Sequence, residues 1–174
     1  MPMDGLTIGM IASELHNTLE GGLILRVVQP ERDEIILTIR SRGENHQLLL
    51  SATANCARAH LTQYKKNNPL EPPALCMLRR KHIIAGRISA IRQIESDRIL
   101  EIEVAHFNVL GDYSVKRIVC EFMGKHSNII FIGDDGRIID SARHVTEQIS
   151  SVREVLPGLR YELPPAHEIG RAHV

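Results

Sequence analysis

Aromatic residues are scarce in this 174-residue chain, which has three tyrosines, three phenylalanines and no tryptophan. Proteins that bind single-stranded nucleic acids depend on aromatic side chains for base stacking, so the composition disfavours that mode of binding. Charge of one sign is lacking as well, because Lys and Arg together number 21 and Asp and Glu together number 21. Any contact with a nucleic acid must therefore depend on a local patch of cations rather than on a global basic field.

Long apolar runs are also absent. Stretches such as residues 47–50 and 129–132 reach only a few residues, whereas a membrane-spanning helix needs about 20. Residues 1–5 contain neither the basic region nor the extended apolar region of a secretory signal. The sequence therefore predicts a soluble, cytoplasmic protein with no membrane partner.

The usual signatures of enzymes and metal sites are missing too. Cys56, Cys76 and Cys120 are odd in number and far apart, which argues against a disulfide framework and a zinc ribbon, and we interpret them as reduced, mostly buried thiols. The nine histidines are scattered singly, whereas metal sites need clustered ligands. No GxGxxG, GxxxxGK[ST], HExxH or GxSxG motif occurs. We expect no enzymatic activity, no cofactor and no metal.

One helix and a β-meander are predicted for the first part of the chain. Apolar residues at three- to five-residue steps favour an amphipathic helix over residues 4–20, ended by Gly21-Gly22. Its predicted apolar positions are Leu6, Met10, Ile11, Leu15 and Leu19. Short runs rich in Ile, Leu and Val predict strands at residues 23–29, 34–40 and 47–51. The apolar pattern lapses between residues 52 and 73, where we expect an exposed loop.

A second helix and five more strands are predicted further along. Pro73 suits the first turn of a helix over residues 74–84. Turn signals separate the predicted strands, which are residues 88–94, 99–106, 115–121, 128–132 and 138–140. Strands joined by such tight turns are antiparallel. Residues 145–155 favour a further helical run. The predicted fold class is α+β: an antiparallel β-sandwich or partly open barrel with two flanking helices.

The end of the chain is predicted to lie outside the domain. Residues 161–165 are typical of an interdomain linker, because the paired prolines Pro164-Pro165 can continue neither a helix nor a central strand. Residues 169–174 show no pattern. We therefore predict one domain over residues 1–165, followed by a linker or non-native tail over residues 166–174.

The turn within residues 121–128 is the most informative stretch of the sequence. Gly124 permits a positive φ and a close approach by a ligand, and Lys125 can meet a phosphate. His126 and Asn128 can donate hydrogen bonds to phosphate or sugar oxygens. The same residues also fit a tight hairpin with an Asn-stabilised turn, and spacing alone favours this structural interpretation.

Two further basic points accompany this turn. Arg98 lies at the preceding hairpin tip, where its planar fork of donors suits phosphate or base edges and Asp97 can orient it. A surface ion pair of little energetic value is the alternative for these two residues. Arg79 and Arg80, with Lys81, form another cationic point, which belongs to a solvated helix face unless folding brings it to the same side.

Several segments in this order resemble the N-terminal domain of the NFACT family, the fibronectin-binding-protein-A-like proteins of ribosome quality control. They are Met3-Asp4-Gly5, residues 58–62, residues 121–128, and Leu156-Pro157-Gly158 followed by Tyr161 and Pro164-Pro165. The resemblance covers nearly the whole chain. It implies contact with tRNA and ribosomal RNA through Asp97, Arg98, Glu121, Met123, Gly124, Lys125, His126, Ser127 and Asn128, to which we add Arg79 and Arg80.

The resemblance also implies a function and partners. Family members of the RqcH type bind obstructed large ribosomal subunits with a stalled peptidyl-tRNA and recruit alanyl-tRNA for template-free alanine tailing. We therefore expect an RNA-binding module with these partners. Many relatives are called fibronectin-binding proteins, so a surface adhesin that binds fibronectin is the alternative. A purely architectural domain is a third possibility.

The family fold is similar to the N-terminal domain of formamidopyrimidine-type DNA glycosylases, which react through a proline directly after the initiator methionine. Pro2 occupies that position here. A proline nucleophile needs a neighbouring acid to protonate the leaving group. Those enzymes have glutamate after the proline, whereas this chain has Met3 and then Asp4. We expect no glycosylase activity.

Overall fold

The structure, a computed structural model, describes residues 4–63, 83–95, 97–107, 110–147 and 153–164. It begins with helix α1 (Gly5–Leu19), whose N-cap is Asp4. The Asp4 carboxylate accepts a hydrogen bond from the Thr7 N–H at 2.8 Å, and this bond lowers the pKa of Asp4. The chain leaves the helix through Gly21, which has a φ of +80°. The predicted first helix is thus confirmed.

The buried face of α1 differs from the predicted one. Ile8, Ala12, Leu15 and Leu19 are buried, which are steps of four, three and four residues along one face. Leu6 and Met10 are 79% and 62% exposed, so their assignment to the apolar face was wrong. Ala12 is buried although its side chain is small, so its place on the buried face could not be recognised from large apolar residues alone.

Nine strands form one antiparallel sheet in the described part of the chain. The first meander consists of β1 (Leu23–Glu31), β2 (Glu34–Ser41), β3 (Glu44–Ser51) and β4 (Arg58–Thr62). The second meander consists of β5 (Arg87–Gln93), β6 (Ile99–Phe107), β7 (Tyr113–Glu121), β8 (Asn128–Ile132) and β9 (Ile138–Ser141). The strand order in the sheet is β4-β3-β2-β1-β5-β6-β7-β8-β9. The α+β class and the antiparallel pairing are confirmed.

The sheet curls, so that its two meanders cover a common core. They pair through a single register position, Leu23 with Arg87. In a flat sheet the end of β9 would lie roughly 30 Å from β2, yet Arg143, just after β9, is 3.5 Å from Asp33, just before β2. The main apolar cluster joins Leu37 of the first meander, Ile102 of the second and the buried face of α1. Burial of this shared surface, together with four backbone hydrogen bonds between residues 21–24 and residues 85–88, holds the two meanders together.

Three sequence-based assignments need correction or lie outside the described residues. Strand β4 was missed, because its alternation rests on only two apolar residues, Ala59 and Leu61, of which only Ala59 is buried. Residues 145–155 do not form a continuous helix, because Val145 and Val155 face each other in an antiparallel bridge. The predicted helix over residues 74–84 falls almost entirely outside the described residues. The second flanking helix and the similarity to glycosylases stay predictions.

The segment after β9 packs on the outer face of the second meander. Val155 belongs to a second apolar cluster with Val119 and Ile130, and Tyr161 packs against it. Pro164, which the sequence analysis placed in an interdomain linker, is buried. In the part of the chain that the structure describes, no helix combines the length and apolarity needed to cross a membrane.

Candidate nucleic-acid interface

The turn between β7 and β8 contains a short 3-10 helix, Gly124–His126. Gly124 has a φ of +58°, a left-handed conformation that favours glycine. The Ser127 hydroxyl accepts a hydrogen bond from the Met123 N–H at 2.8 Å, and the Ser127 N–H donates to the Gly124 carbonyl at 3.1 Å. Ser127 is buried, whereas Lys125 and His126 are exposed. The turn thus holds itself together from inside and presents two basic side chains to solvent.

The Asn128 side chain stabilises the end of this turn by hydrogen bonds. Its side-chain oxygen accepts hydrogen bonds from the N–H groups of Ile129 and Arg143 at 3.0 and 2.9 Å. Its side-chain nitrogen donates to the Arg143 carbonyl at 3.0 Å. These bonds occupy the side-chain amide that the sequence analysis predicted would donate hydrogen bonds to phosphate or sugar oxygens. Asn128 is only 3% exposed, so its place in the site is to connect the turn to the segment after β9.

Glu121 lies in the protein interior, close to the turn. It is the last residue of β7 and is fully buried. Arg153 donates to one carboxylate oxygen, and the Tyr161 hydroxyl donates to the other at 2.7 Å. The Arg153 guanidinium also lies 5.9 Å from the centre of the Tyr161 ring. This buried triad attaches the tail of the domain to the strand that carries the turn.

The pKa shifts in this triad follow from burial and from the shared carboxylate. Burial and the neighbouring Glu121 carboxylate both raise the pKa of Tyr161, so its hydroxyl stays a donor. Burial opposes the charged form of Arg153, but the attraction of Glu121 outweighs it and raises the pKa of Arg153 above its ordinary value. Arg153 and Glu121 therefore form a charged pair with little access to solvent.

Arg98 lies beside the turn, at the hairpin between β5 and β6. Its carbonyl accepts a hydrogen bond from the Phe122 N–H at 2.9 Å, and Ile99 pairs with Glu121 across β6 and β7. Adjacent antiparallel hairpins bring these two ends of the sheet together. Asp97 is half-buried, and its carbonyl accepts a hydrogen bond from the Gln93 side chain at 2.7 Å. The two candidate RNA-binding segments predicted from the sequence, Asp97-Arg98 and the turn within residues 121–128, are thus neighbours in space.

These loops line a half-open cleft of about 720 Å³. Its lining includes the predicted residues Arg98, Glu121, Met123, Lys125, His126, Ser127 and Asn128. Apolar side chains of Val145, Val155 and Pro164 contribute to the floor. Asp97 and Gly124 adjoin the cleft without lining it. Arg79 and Arg80 lie outside the described residues, so their place relative to the cleft stays untested.

Four basic residues in the cleft were missed by sequence reasoning: Arg32, Arg143, His144 and Arg153. Arg32 is exposed in the turn between β1 and β2, where the Gln29 side chain donates to its carbonyl at 2.9 Å. His144 lies 2.7 Å from the Asp140 carboxylate. These residues come from segments far apart in sequence. A basic residue in a tight turn is by itself only a weak indication of a binding site. The curl of the sheet brings these residues together, and no local sequence pattern reports that curl.

The remaining candidate ligands do not form a metal site. Within the described ranges, no group of three His, Cys, Asp or Glu side chains is arranged to hold a metal ion. Cys120 is buried as expected, but Cys56 is exposed, so the expectation of mostly buried thiols was wrong for Cys56. Cys76 lies outside the described residues. The basic side chains that line the cleft outnumber its two carboxylates, Asp33 and Glu121, each of which is paired with an arginine. The cleft can therefore bind an anionic ligand.

The fold and the cleft define a class: a two-meander α+β domain with a basic, half-open cleft at one end of its curled sheet. Within that class, the chain belongs to the NFACT family, because residues 4–170 match the family model described as the NFACT N-terminal and middle domains. The family resemblance of the sequence is thus confirmed.

Named relatives agree with this assignment. The chain is 41% identical over 169 residues to a protein of Bacillus subtilis named Rqc2 homolog RqcH, covering 97% of this chain and 30% of the relative. The chain thus spans about 30% of the length of the curated relative it matches.

Solved structures of two relatives have the same fold. One is the N-terminal part of the fibronectin/fibrinogen-binding protein from Streptococcus suis, with a TM-score of 0.88 and 40% identity over 93% of this chain and 61% of that one. The other is the N-terminal domain of the fibronectin-binding protein PavA from Streptococcus pneumoniae, with a TM-score of 0.89 and 38% identity. It covers 94% of this chain and 62% of that one.

Proposed function

We propose that this chain is the tRNA-binding N-terminal module of a cytoplasmic ribosome quality control factor. The observation that carries the proposal is the convergence of Arg98, Lys125, His126 and Arg32, from three separate turns, on one cleft. Cations that approach from different directions can contact successive phosphates of a folded RNA backbone. The scarcity of aromatic residues supports recognition of shape and phosphates rather than stacking on unpaired bases.

The predicted site residues divide into two roles. Lys125, His126 and Arg98 have solvent access and are the proposed contacts with RNA. Glu121, Ser127 and Asn128 are buried, with side-chain hydrogen bonds to other parts of the protein, and their proposed role is to position the turn. Met123 and Gly124 shape the turn itself. Asp97 adjoins Arg98, and we retain it as part of the interface.

For the longer protein, the names of the relatives support a place in ribosome quality control. The proposed partners are a large ribosomal subunit with a stalled peptidyl-tRNA and alanyl-tRNA, which is recruited for alanine tailing. Among the described residues that line it, the cleft supplies cations and no nucleophile held by a base, so we propose binding and not catalysis for this domain. Pro2, the one candidate nucleophile that the sequence raised, lies outside the described residues.

The test is the affinity of the chain for an alanine tRNA transcript, measured by fluorescence anisotropy. Replacing both Arg98 and Lys125 with Ala removes two cations from the cleft, and we expect binding to weaken at least tenfold, because charge-assisted hydrogen bonds are worth about 1.5–3 kcal/mol each. Arg40→Ala is the matched control. Arg40 is exposed at the opposite end of β2 and donates to Asn45. Equal affinity of the double variant and the control would refute the proposal.

Fibronectin binding is the second candidate, and it is favoured by the names of the two solved relatives. A protein ligand would use surface beyond the cleft. Surface plasmon resonance on immobilised fibronectin separates the two functions. If the Arg98→Ala, Lys125→Ala double variant loses tRNA and keeps fibronectin, the two surfaces are distinct. If the wild-type chain binds fibronectin and no tRNA, the adhesin function replaces the RNA-binding one.

A further inference from the structure

Arg143 connects parts of the cleft that are distant in sequence. Its guanidinium donates to the Lys125 carbonyl at 2.6 Å and to the Ala52 carbonyl at 3.4 Å. The same group lies 3.5 Å from the Asp33 carboxylate. Lys125 belongs to the second meander, whereas Asp33 and Ala52 belong to the first. One side chain therefore spans the opening between the two halves of the curled sheet.

The backbone of Arg143 is also fixed on both sides. Its N–H donates to the Asn128 side chain at 2.9 Å, and its carbonyl accepts from Asn128 at 3.0 Å. The Ser141 hydroxyl donates to the same carbonyl at 2.8 Å. These bonds fix the point from which the side chain extends. The planar fork of a guanidinium is preorganised, so less conformational entropy is lost for each hydrogen bond that it forms. Both features suit Arg143 to hold other residues in place.

We propose that Arg143 is the positioning residue of the RNA site. By holding the Lys125 carbonyl and the Asp33 carboxylate at the same time, it fixes Lys125 relative to Arg32, the neighbour of Asp33. The distance between two phosphate-binding cations would then be set by a third cation. The inference rests on the proposed function for its RNA-binding part, but the bridging role itself concerns the protein alone.

The proposal requires the fork of the arginine and not only its charge. Lysine keeps the positive charge, but its donors all radiate from one nitrogen, whereas Arg143 makes these contacts through two nitrogens of a planar fork. Arg143→Lys should therefore disturb the turn while leaving the charge of the cleft unchanged. Arg137→Lys is the matched control, because Arg137 donates to the Gly158 carbonyl at 3.0 Å and does not line the cleft.

The first experiment is amide hydrogen exchange, followed by NMR, on the 174-residue chain without RNA. The reporters are the N–H groups of His126 and Ser127, which donate to carbonyls within the turn. We expect Arg143→Lys to speed their exchange roughly tenfold by promoting local opening, while amides in the middle of β6 keep their protection. If His126 and Ser127 exchange at the same rates in Arg143→Lys as in Arg137→Lys, the positioning role is overturned. A uniform increase in exchange across the sheet would also overturn it, because Arg143 would then stabilise the whole domain and not the turn in particular.

The second experiment is a double-mutant cycle on binding of the alanine tRNA transcript. If Arg143 acts through Lys125, then Lys125→Ala should weaken binding by much less in the Arg143→Lys background than in the wild type, because residues that act together are not additive. Additive effects would mean that Arg143 contacts RNA independently, which contradicts the proposal. If the wild-type chain does not bind the transcript, the proposed function fails, whereas the exchange experiment still decides the role of Arg143.

Discussion

The Tyr161 hydroxyl donates a 2.7 Å hydrogen bond to Glu121, a residue 40 positions earlier in the chain. Glu121 ends the strand that leads into the basic turn, and Tyr161 belongs to the segment that covers the outer face of the second meander. The stability of this segment and the geometry of the cleft are thereby connected. Arg153 completes the arrangement through its charged pair with the same carboxylate.

Tyr161→Phe removes one donor from a fully buried carboxylate, and we expect it to destabilise the chain by about 1.5–3 kcal/mol, the range for hydrogen bonds to charged groups. Urea unfolding monitored by circular dichroism measures the difference. Tyr113→Phe is the control, because Tyr113 is 57% exposed and its hydroxyl should matter little. Equal midpoints for the two variants would show that the bond contributes nothing to stability.

His106 gives the unfolding free energy a pH dependence of known sign. Burial lowers the pKa of His106 below its ordinary value of 6.5, and the nearby Lys116 acts in the same direction. Below pH 6.5 the unfolded chain gains a proton at this position that the folded chain resists. This contribution to stability is therefore present above pH 6.5 and is lost as the pH falls toward the folded-state pKa.

We expect His106→Gln to flatten the decrease in stability between pH 7.5 and pH 5.5, relative to the wild type. Urea midpoints at a series of pH values provide the measurement. His60→Gln, a change at an exposed histidine, should leave the slope unchanged. A His106→Gln slope identical to that of the wild type would mean that another group causes the pH dependence.

The two described cysteines should differ strongly in reactivity. Cys56 is exposed, whereas Cys120 is fully buried in the core and burial raises the pKa of its thiol. Treatment of the folded chain with iodoacetamide should therefore modify Cys56 and spare Cys120 until a denaturant is added. Peptide mass spectrometry reads out both positions. Modification of Cys120 under native conditions would contradict the buried position of β7.

The predictable parts of the fold were those with local signals. Tight turns and short runs of β-branched residues marked both meanders, and the antiparallel order of β5 to β8 implied that Arg98 and Lys125 would lie at the same end of the sheet. Strand β4 carries Arg58, His60 and Thr62, so its pairing with β3 is decided by the neighbouring strand and not by its own composition. The bridge between Val145 and Val155 is a tertiary contact that an apolar spacing cannot distinguish from a helix.

The residues of the candidate site also divide into those with a local sequence signal and those without one. The basic turn was recognisable because glycine, cations and hydrogen-bonding residues are adjacent in sequence. Arg32 and Arg143 were not, because the curl of the sheet brings together segments more than 100 residues apart, and Arg143 reaches Asp33 only in the folded chain. The buried position of Glu121 likewise depends on Arg153 and Tyr161, which lie well beyond the strand that carries it.

The most direct test of the central claim is the salt dependence of tRNA binding. Each phosphate neutralised by a cation contributes to the slope of log Kd against log salt concentration. If Arg98 and Lys125 each contact a phosphate, the Arg98→Ala, Lys125→Ala double variant should have a slope smaller by about 1.5–2 than that of the wild type, while Arg40→Ala keeps the wild-type slope. A double variant with the wild-type slope would mean that these cations do not touch the RNA backbone, and the cleft would not be the RNA site.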